Sequence, residues 1–492
     1  TDRDSELPNG IPLDADGNLV PFSGGREGFL GFEEPRTQSD SLMLGARLQH
    51  RLDRGPVLAL TAHGREIERN SRLNFFDPFG VDLSRNVIGM NGFLGDTRQR
   101  VAYLEGTAEW NLERVNVIAG LTGERSRITE LVRWTGQNGF TPACGFTFFL
   151  VEIDAISGAV LNEGHPCFVR DAVQTDARFE NRFWGAFVQA QIDVAERWRA
   201  TFGGRWDSFR REAEYNPVPG VTLGGKADGR ADAFSPKAAI SYLPDWGQLY
   251  FAYGRGFNSN FGATFEWDPV QYARPETRPT TIDSYELGAK GRAFDDALQF
   301  EAAIYYTRQK NRRQIIPNPA AETDFTAPFS LVTFGDLYEG RGAEFSLRAQ
   351  PRDGTDLTLT YSFIDPEWGD YVIQTFAGPV DLSGNTPTGV PRHTFYLALT
   401  QRVNEWLLAR AAFEAYDDYF YTQDNAFKDG GYSLLTLGAT IQPAAWGGVR
   451  LDLTVTNALD EEYYFYFGTR NRPTYAMPGP PRQFRAILTA NF

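Results

Sequence analysis

A chain of 492 residues could hold two to four soluble domains or a single large barrel, so length alone excludes neither. A formal net charge of −15 and a pI near 4.9 argue against a nucleic-acid partner. Mean hydropathy is −0.38, and no stretch approaches the roughly 18 to 20 consecutive apolar residues of a spanning helix. One of the longest apolar stretches, Phe146 to Val151, is six residues and includes Thr147. If this chain crosses a membrane it must do so as a closed sheet, because only helices and closed barrels satisfy every backbone group in lipid. Aromatic residues make up 14 %, with 38 Phe, 21 Tyr and 49 Gly, a mixture that suits strands joined by turns. The absence of a starting Met and of a signal peptide fits a mature or truncated segment.

In chain order, residues 1–40 are expected to form an extracellular loop segment, and 41–492 an antiparallel transmembrane β-barrel. Seventeen strands are expected, beginning near positions 41, 57, 98, 114, 177, 198, 232, 248, 281, 297, 330, 355, 391, 405, 431, 448 and 481. Between the fourth and fifth lie the two cysteines, Cys144 and Cys167, both in a Gly/Pro-containing loop. In an oxidising compartment they are expected to form one disulfide that clips the loop; the alternative is two unrelated thiols. Neither has the C-x-x-C spacing of a zinc site, so no metal is expected there.

The period is clearest farther along. Leu298, Phe300, Ala302, Ile304 and Tyr306 alternate with Gln299, Glu301, Ala303, Tyr305 and Thr307. Phe345, Leu347 and Ala349 alternate with Glu344, Ser346 and Arg348, and Leu357, Leu359, Tyr361 and Phe363 with Thr358, Thr360 and Ser362. Val449, Leu451, Leu453 and Val455 alternate with Arg450, Asp452, Thr454 and Thr456. At the C-terminus Phe484, Ala486, Leu488, Ala490 and Phe492 occupy alternate positions. A soluble sandwich shows the same period. It would, however, have to bury Glu344, Arg348, Arg450 and Asp452, or else expose the Leu and Phe. A barrel with lipid outside and a wet lumen satisfies both faces.

Connections alternate in length. Short ones include Asp53-Arg-Gly55, Pro244-Asp-Trp246, Ala293-Phe-Asp295, Pro351-Arg-Asp-Gly354 and Ala444-Ala-Trp-Gly447. Long ones run about 70–97, 131–176, 213–231, 259–280, 317–329, 366–390, 417–430 and 459–480. Short periplasmic turns and long external loops are the habit of outer-membrane barrels. Aromatics near strand ends, among them Tyr250, Phe251, Tyr253, Tyr416, Tyr419, Phe420 and Tyr421, suit interfacial girdles.

Five segments carry a family resemblance. Thr456-Asn-Ala-Leu-Asp-Glu-Glu-Tyr463 resembles an "NLFDxxY" segment, and Pro478-Gly-Pro-Pro-Arg-Gln-Phe484 a "PGxPRxF" lead-in to the last strand. Pro275-Glu-Thr-Arg-Pro-Thr-Thr-Ile-Asp-Ser-Tyr-Glu-Leu-Gly-Ala-Lys290 resembles "PExxxxYElGxK". Gly340-Arg-Gly-Ala-Glu344 resembles "sxGxE", and Leu7-Pro-Asn-Gly10 an "LPxxG" loop. Each is weak alone, but all five follow the order found in the C-terminal barrel of TonB-dependent siderophore receptors, and together they cover nearly the whole chain. Pro480 stands where that motif usually has Arg, and Ala458 where it usually has Leu, changes that read as drift at packing positions.

The resemblance implies a barrel of about 22 strands with an N-terminal plug, of which seventeen strands are visible here and about five, with the plug and its TonB box, are not. It implies an energised importer, a monomer in the bacterial outer membrane. Its partners would be membrane lipid and lipopolysaccharide, TonB through the missing plug, and a small-molecule metal chelate, first of all a ferric siderophore. Phe492 would serve as the barrel-assembly signal. Haem, cobalamin, a nickel chelate or a carbohydrate are alternative cargoes; a passive porin and a soluble multi-domain β protein are alternatives of other classes.

Candidate ligand contacts are Phe257, Phe261, Phe265, Trp267, Tyr272 and Arg274 in one long loop, and Tyr419 and Tyr421 in another. Aromatic faces and Arg suit a bulky anionic chelate, through stacking and charge-assisted contacts; the competing role is packing of loop on loop or contact with lipopolysaccharide. Arg255 shares parity with Phe251 and Tyr253 and is expected to point outward. Asp417 and Asp418 could hold a cation such as calcium. No enzyme and no resident cofactor are expected: of the four His (His50, His63, His165, His393), His50 and His63 fall on neighbouring strands, with no nucleophile marked beside them. Only His165 is clearly in a long loop, which weakens a haem reading. No Gly-rich phosphate loop opens a helix.

Overall fold

The computed structural model describes residues 2–6, 10–20, 36–53, 55–82, 84–136, 151–218, 224–259, 279–317, 330–335, 338–375, 378–469 and 471–490. The architecture is all-β. The wall strands are β1 (Asp2–Glu6), β2 (Arg36–Arg51), β3 (Val57–Asp82), β4 (Val87–Asn111), β5 (Val115–Thr135) and β6 (Ala172–Ala195). They continue with β7 (Trp198–Tyr215), β8 (Gly225–Tyr242), β9 (Gly247–Asn258), β10 (Thr280–Ala293), β11 (Leu298–Lys310) and β12 (Tyr338–Arg352). The last six are β13 (Thr355–Trp368), β14 (His393–Asn404), β15 (Leu407–Tyr416), β16 (Tyr432–Ile441), β17 (Val449–Thr456) and β18 (Gln483–Ala490). Each pairs antiparallel with the next, and a short strand at Val151–Asp154 adds to the top of β4, giving nineteen strands in one sheet.

The seventeen expected strands correspond to β2 through β18, with shifted ends. The strand expected near 330 begins instead at Tyr338; residues 330–335 pair with Arg312–Pro317 in a separate hairpin. The spans 70–97 and 213–231, expected as loops, are largely ladder: β3 and β4 pair up to Asp82↔Val87, and β7 and β8 up to Tyr215↔Gly225. Beyond the lipid both strand faces are wet, so the apolar alternation fades while the backbone pairing continues.

Short turns at one end fix the register. Gly247 opens β9 with φ 157°, where a Cβ would collide with the Lys290 carbonyl oxygen across the strand pair. A 3-10 turn, Ala444–Trp446, ends on the left-handed Gly447 (φ 59°) before β17.

The outward face carries the lipid belt. Leu60, Leu121, Val188, Phe202, Ile240, Phe251, Leu287 and Ile304 are all exposed on one parity. In water such a continuous apolar surface is an aggregation liability; in lipid it is the expected exterior. Trp198 and Tyr242 flank the short-turn end, with rings 5.1 Å apart. Tyr253, Tyr285 and Tyr306 form a row at the other, with successive ring separations of 5.1 and 6.4 Å. The lumen face is ionic: Lys290 pairs with Glu301 at 3.2 Å, Arg450 with Asp452 at 2.8 Å, and Arg205 with the buried Asp207 at 2.7 Å.

Among the described residues no ladder joins β18 back to β1 or β2, so the sheet is open along one seam. β1 covers β2 only from Arg36 to Asp40; below that, Leu42, Met43, Leu44 and Leu48 are exposed on both faces. On β18, Phe484, Ile487 and Leu488 are exposed in the same way.

Candidate ligand-binding site

On the long-loop side, β14, β15 and β16 end beneath an aromatic cap. Tyr416, the last residue of β15, lies opposite Tyr432, the first of β16, with rings 4.7 Å apart on the lumen-facing parity. The chain then folds a small hairpin, Tyr419–Phe420 against Lys428–Asp429. A second hairpin, Tyr464–Gly468 against Pro473–Pro478, leans over the first, and Ile11 and Pro12 pair with Ala476 and Tyr475 of its outer strand. Leu13, Tyr421 and Ala476 form a small buried core between these pieces.

Polar contacts lock the cap. The Tyr466 N–H donates to the Tyr419 hydroxyl at 2.7 Å. The Thr386 N–H donates to Asn425 Oδ1 at 2.7 Å, and Asn425 Nδ2 returns a bond to the Thr386 carbonyl at 2.9 Å. Rings stack throughout: Tyr432 on Tyr463 at 4.5 Å, Tyr421 on Tyr466 at 5.2 Å, Phe467 on Tyr475 at 4.7 Å. Beside them is an open pocket of about 440 Å³ lined by Tyr416, Tyr419, Tyr421, Tyr432, Phe465 and Phe467. Burial pushes the Tyr419, Tyr421 and Tyr475 phenols above the ordinary tyrosine range, so they stay neutral hydrogen-bond donors. The lining offers flat faces and hydroxyls rather than fixed charges, which suits a ligand that stacks.

Of the expected contacts, Tyr419 and Tyr421 therefore come together. Phe257 is elsewhere, at the top of β9, 5.3 Å from Phe209 of β7; β9 parts from β8 above the Lys237↔Gly254 pair. Phe209 in turn meets Phe183 at 4.8 Å, and Arg205 lies over Phe183. Phe261, Phe265, Trp267, Tyr272 and Arg274 lie outside the described residues, as do Cys144 and Phe492. Cys167 is buried and disulfide-bonded. The sequence reading passed over Phe465, Tyr466 and Phe467; the run of five consecutive aromatics from Tyr463 to Phe467 was the available signal.

Several expectations need correction. Tyr250 and Tyr416 face the lumen, where they bond Glu286 and Glu414, and Tyr419 and Tyr421 belong to the cap, so these four are not girdle residues. Asp417 and Asp418 do not converge on a cation: Asp418 accepts the Gly431 N–H at 2.9 Å, while Asp417 lies 4.0 Å from His393. His50 and His63 have opposite parity on paired strands, and His63 stacks on Tyr103 at 4.7 Å. Arg255 does point outward, paired with Asp283 at 2.8 Å.

The motifs have structural reasons. Asn457, at φ 49°, donates to the Glu461 carbonyl at 2.9 Å and to the Pro480 carbonyl at 3.2 Å, tying one C-terminal motif to the other. Asp460 accepts the Arg482 N–H at 3.1 Å. Gly479 lies under the Tyr463 ring, where a Cβ would clash.

Residues 3–458 match the family model described as "TonB dependent receptor-like, beta-barrel". The chain belongs to this family. Members of the TonB-dependent receptor family reside in the outer membrane, and the apolar outward belt is the face that meets lipid there. Two curated relatives are the probable TonB-dependent siderophore receptor PiuA of Acinetobacter baumannii, 24 % identical over 320 residues, and the metal-pseudopaline receptor CntO of Pseudomonas aeruginosa, 22 % identical over 311. Each match takes in 62 % of this chain, and the chain spans only 40 % of the length of either relative. Among solved structures, the siderophore receptor PiuA from Acinetobacter baumannii superposes with a TM-score of 0.76 at 18 % identity, over 99 % of this chain and 70 % of that one. The ferripyoverdine receptor of Pseudomonas aeruginosa, bound to ferripyoverdine, gives 0.72 at 16 % identity, over 98 % and 60 %. At these identities the likeness concerns the fold.

Proposed function

We propose that this chain is the barrel part of a TonB-dependent importer that takes up a ferric siderophore across the outer membrane. The observation that carries the reading is the aromatic cap over the lumen at Tyr416, Tyr419, Tyr421, Tyr432, Phe465 and Phe467, in a family whose relatives here include named siderophore receptors. A chelate would stack between these rings and take hydrogen bonds from their hydroxyls. TonB, acting through a plug in the lumen, would then release it inward by conformational gating, with no covalent step. Neither a catalytic role nor a resident cofactor is part of the reading, and the protein is expected to work as a monomer.

The open seam supports the larger count of strands. From Leu42 to Leu48, β2 carries a ladder on one edge only among the described residues, as does β18, and a bare strand edge in lipid leaves groups costing several kcal/mol apiece. Further strands between β18 and β2 would close the wall; beyond the seventeen from β2 to β18, about five, one of them ending in the short β1, would complete the 22 of plugged barrels. The match to the metal-pseudopaline receptor favours a second reading, in which the chelated metal is not iron.

The test is binding of the full-length receptor to a panel of ferric and other metal chelates, followed by intrinsic fluorescence. Saturable binding of at least one ferric chelate is expected. Binding of none, by a folded receptor, defeats the siderophore assignment.

A further inference from the structure

The aromatic cap carries its charges unevenly. In the small hairpin above β15, Tyr419 lies opposite Asp429 and Phe420 opposite Lys428. Side chains alternate along a strand, so Tyr419 and Asp429 share one face and Phe420 and Lys428 the other. Tyr419 lines the pocket. Lys428 is therefore turned away from it, with its Nζ 5.8 Å from the centre of the Phe420 ring. Gly430, the residue after Asp429, lines the pocket beside Tyr419 and Tyr466, so Asp429 stands at its edge.

The wall below repeats the pattern. Glu414 and Tyr416 share the lumen face of β15, and the Tyr416 hydroxyl donates to Glu414 at 3.5 Å. From Glu414 to Tyr432 the sequence has five carboxylates (Glu414, Asp417, Asp418, Asp424 and Asp429) against one lysine, Lys428. Among the described residues no Arg, Lys or His lines the pocket. Two of the carboxylates act on its rings. Burial first, and then Asp429, raise the Tyr466 phenol above the ordinary tyrosine range. Burial, with Tyr416 and Glu414 next, does the same to Tyr432. A phenol held neutral beside a carboxylate keeps an electron-rich ring, and the face of such a ring attracts a cation.

An anion entering this pocket would meet the carboxylates after losing water, with no guanidinium or ammonium on the lining to replace that water. A ferric tris-catecholate is strongly anionic. A ferric trihydroxamate is neutral at the metal, and a linear one with a free terminal amine is a cation. We propose that the pocket selects a ferric hydroxamate chelate bearing an ammonium group, which would lie against the tyrosine rings and face Asp429 and Glu414. Loop composition, with Arg274 in a different loop, suggested an anionic chelate; the hairpin register sets a carboxylate beside the tyrosines instead. The inference rests on the importer reading of the same pocket and specifies the charge of its cargo.

The experiment is fluorescence titration of the full-length receptor with three probes. They are a linear ferric trihydroxamate with a free terminal amine, the N-acetylated form of the same chelate, and a ferric tricatecholate. The amine form is expected to bind at least roughly threefold more tightly than the acetylated form, and at least roughly tenfold more tightly than the tricatecholate. In Asp429→Asn the ratio between the two hydroxamate forms should fall toward one. Equal affinity of those two forms for wild type would overturn the inference and leave the importer reading standing. Tightest binding of the tricatecholate, or an unchanged ratio in a folded Asp429→Asn receptor, would do the same. Binding of none of the three by a folded receptor defeats the inference outright. Should the variant not fold, the comparison of amine and acetylated forms on wild type still decides it.

Discussion

The two sides of the wall solve the outer boundary differently. From β3 to β8 the strands run 18 to 26 residues, far past the lipid, and their outward face changes from leucine and tryptophan to a lattice of arginine and glutamate. From β14 to β17 they run only 8 to 12 residues, and the chain above them folds into hairpins whose aromatic side chains close over the lumen. The apolar belt is common to both sides because lipid dictates it. What rises above the belt is free of that constraint, and one side has used the freedom for height while the other has used it to build a pocket.

The belt is the part most sensitive to charge. On the tall side, Val188 faces lipid and the adjacent Gln189 faces the lumen. Val188→Arg is expected to cost about 2–4 kcal/mol, and Gln189→Arg less than about 1 kcal/mol. Denaturant unfolding of the receptor in lipid vesicles checks the contrast, and equal costs would mean that the two faces have been assigned wrongly. Next in size is the clip on the loop between β5 and β6. The reading pairs Cys167 with Cys144, so peptide mapping without reductant should recover the two linked. Breaking a loop of this length by Cys167→Ser should cost about 3 kcal/mol of local stability, measured by proteolysis of the loop.

The short side should respond in binding more than in folding. Tyr421→Ala removes a ring from the pocket wall and is expected to weaken chelate binding roughly 3- to 10-fold. Phe257→Ala, at the top of β9 and away from the cap, should change it by less than about 2-fold if the cap is the site. The smallest effect is alkaline. Burial raises the Tyr419, Tyr421 and Tyr475 pKa values above those of the unfolded chain. Their contribution to cap stability is therefore intact below the ordinary tyrosine range and is lost as pH rises through the folded values. Ultraviolet titration should show a late-ionising set of phenols, and a single tyrosine transition at the ordinary pKa would contradict the packing of the cap.

The sequence was most legible where two solvents meet across one strand. Phe484 to Ala490 and Val449 to Val455 announce their faces because lipid lies on one side and a wet lumen on the other. The upper halves of β3 and β4 were not legible for the opposite reason: with water on both faces, Asn70 and Asp96, which pair across the ladder and bond each other, carry no period that separates a strand from a loop. The cap was half legible. Tyr419 and Tyr421 stood out as aromatics in a loop, but their partners Phe465 and Phe467 come from a hairpin some 45 residues on, and only the fold brings them together. Asp417 and Asp418 show the limit of reading type without place, since adjacent carboxylates turned to different partners make no cation site.

The most direct test of the account is fluorescence titration of the full-length receptor with a ferric siderophore, comparing wild type with Tyr419→Ala/Tyr421→Ala. The account predicts saturable quenching in wild type and a dissociation constant at least roughly tenfold higher in the folded double variant. Unchanged affinity in that variant would contradict the claim that the aromatic cap is where the ligand binds.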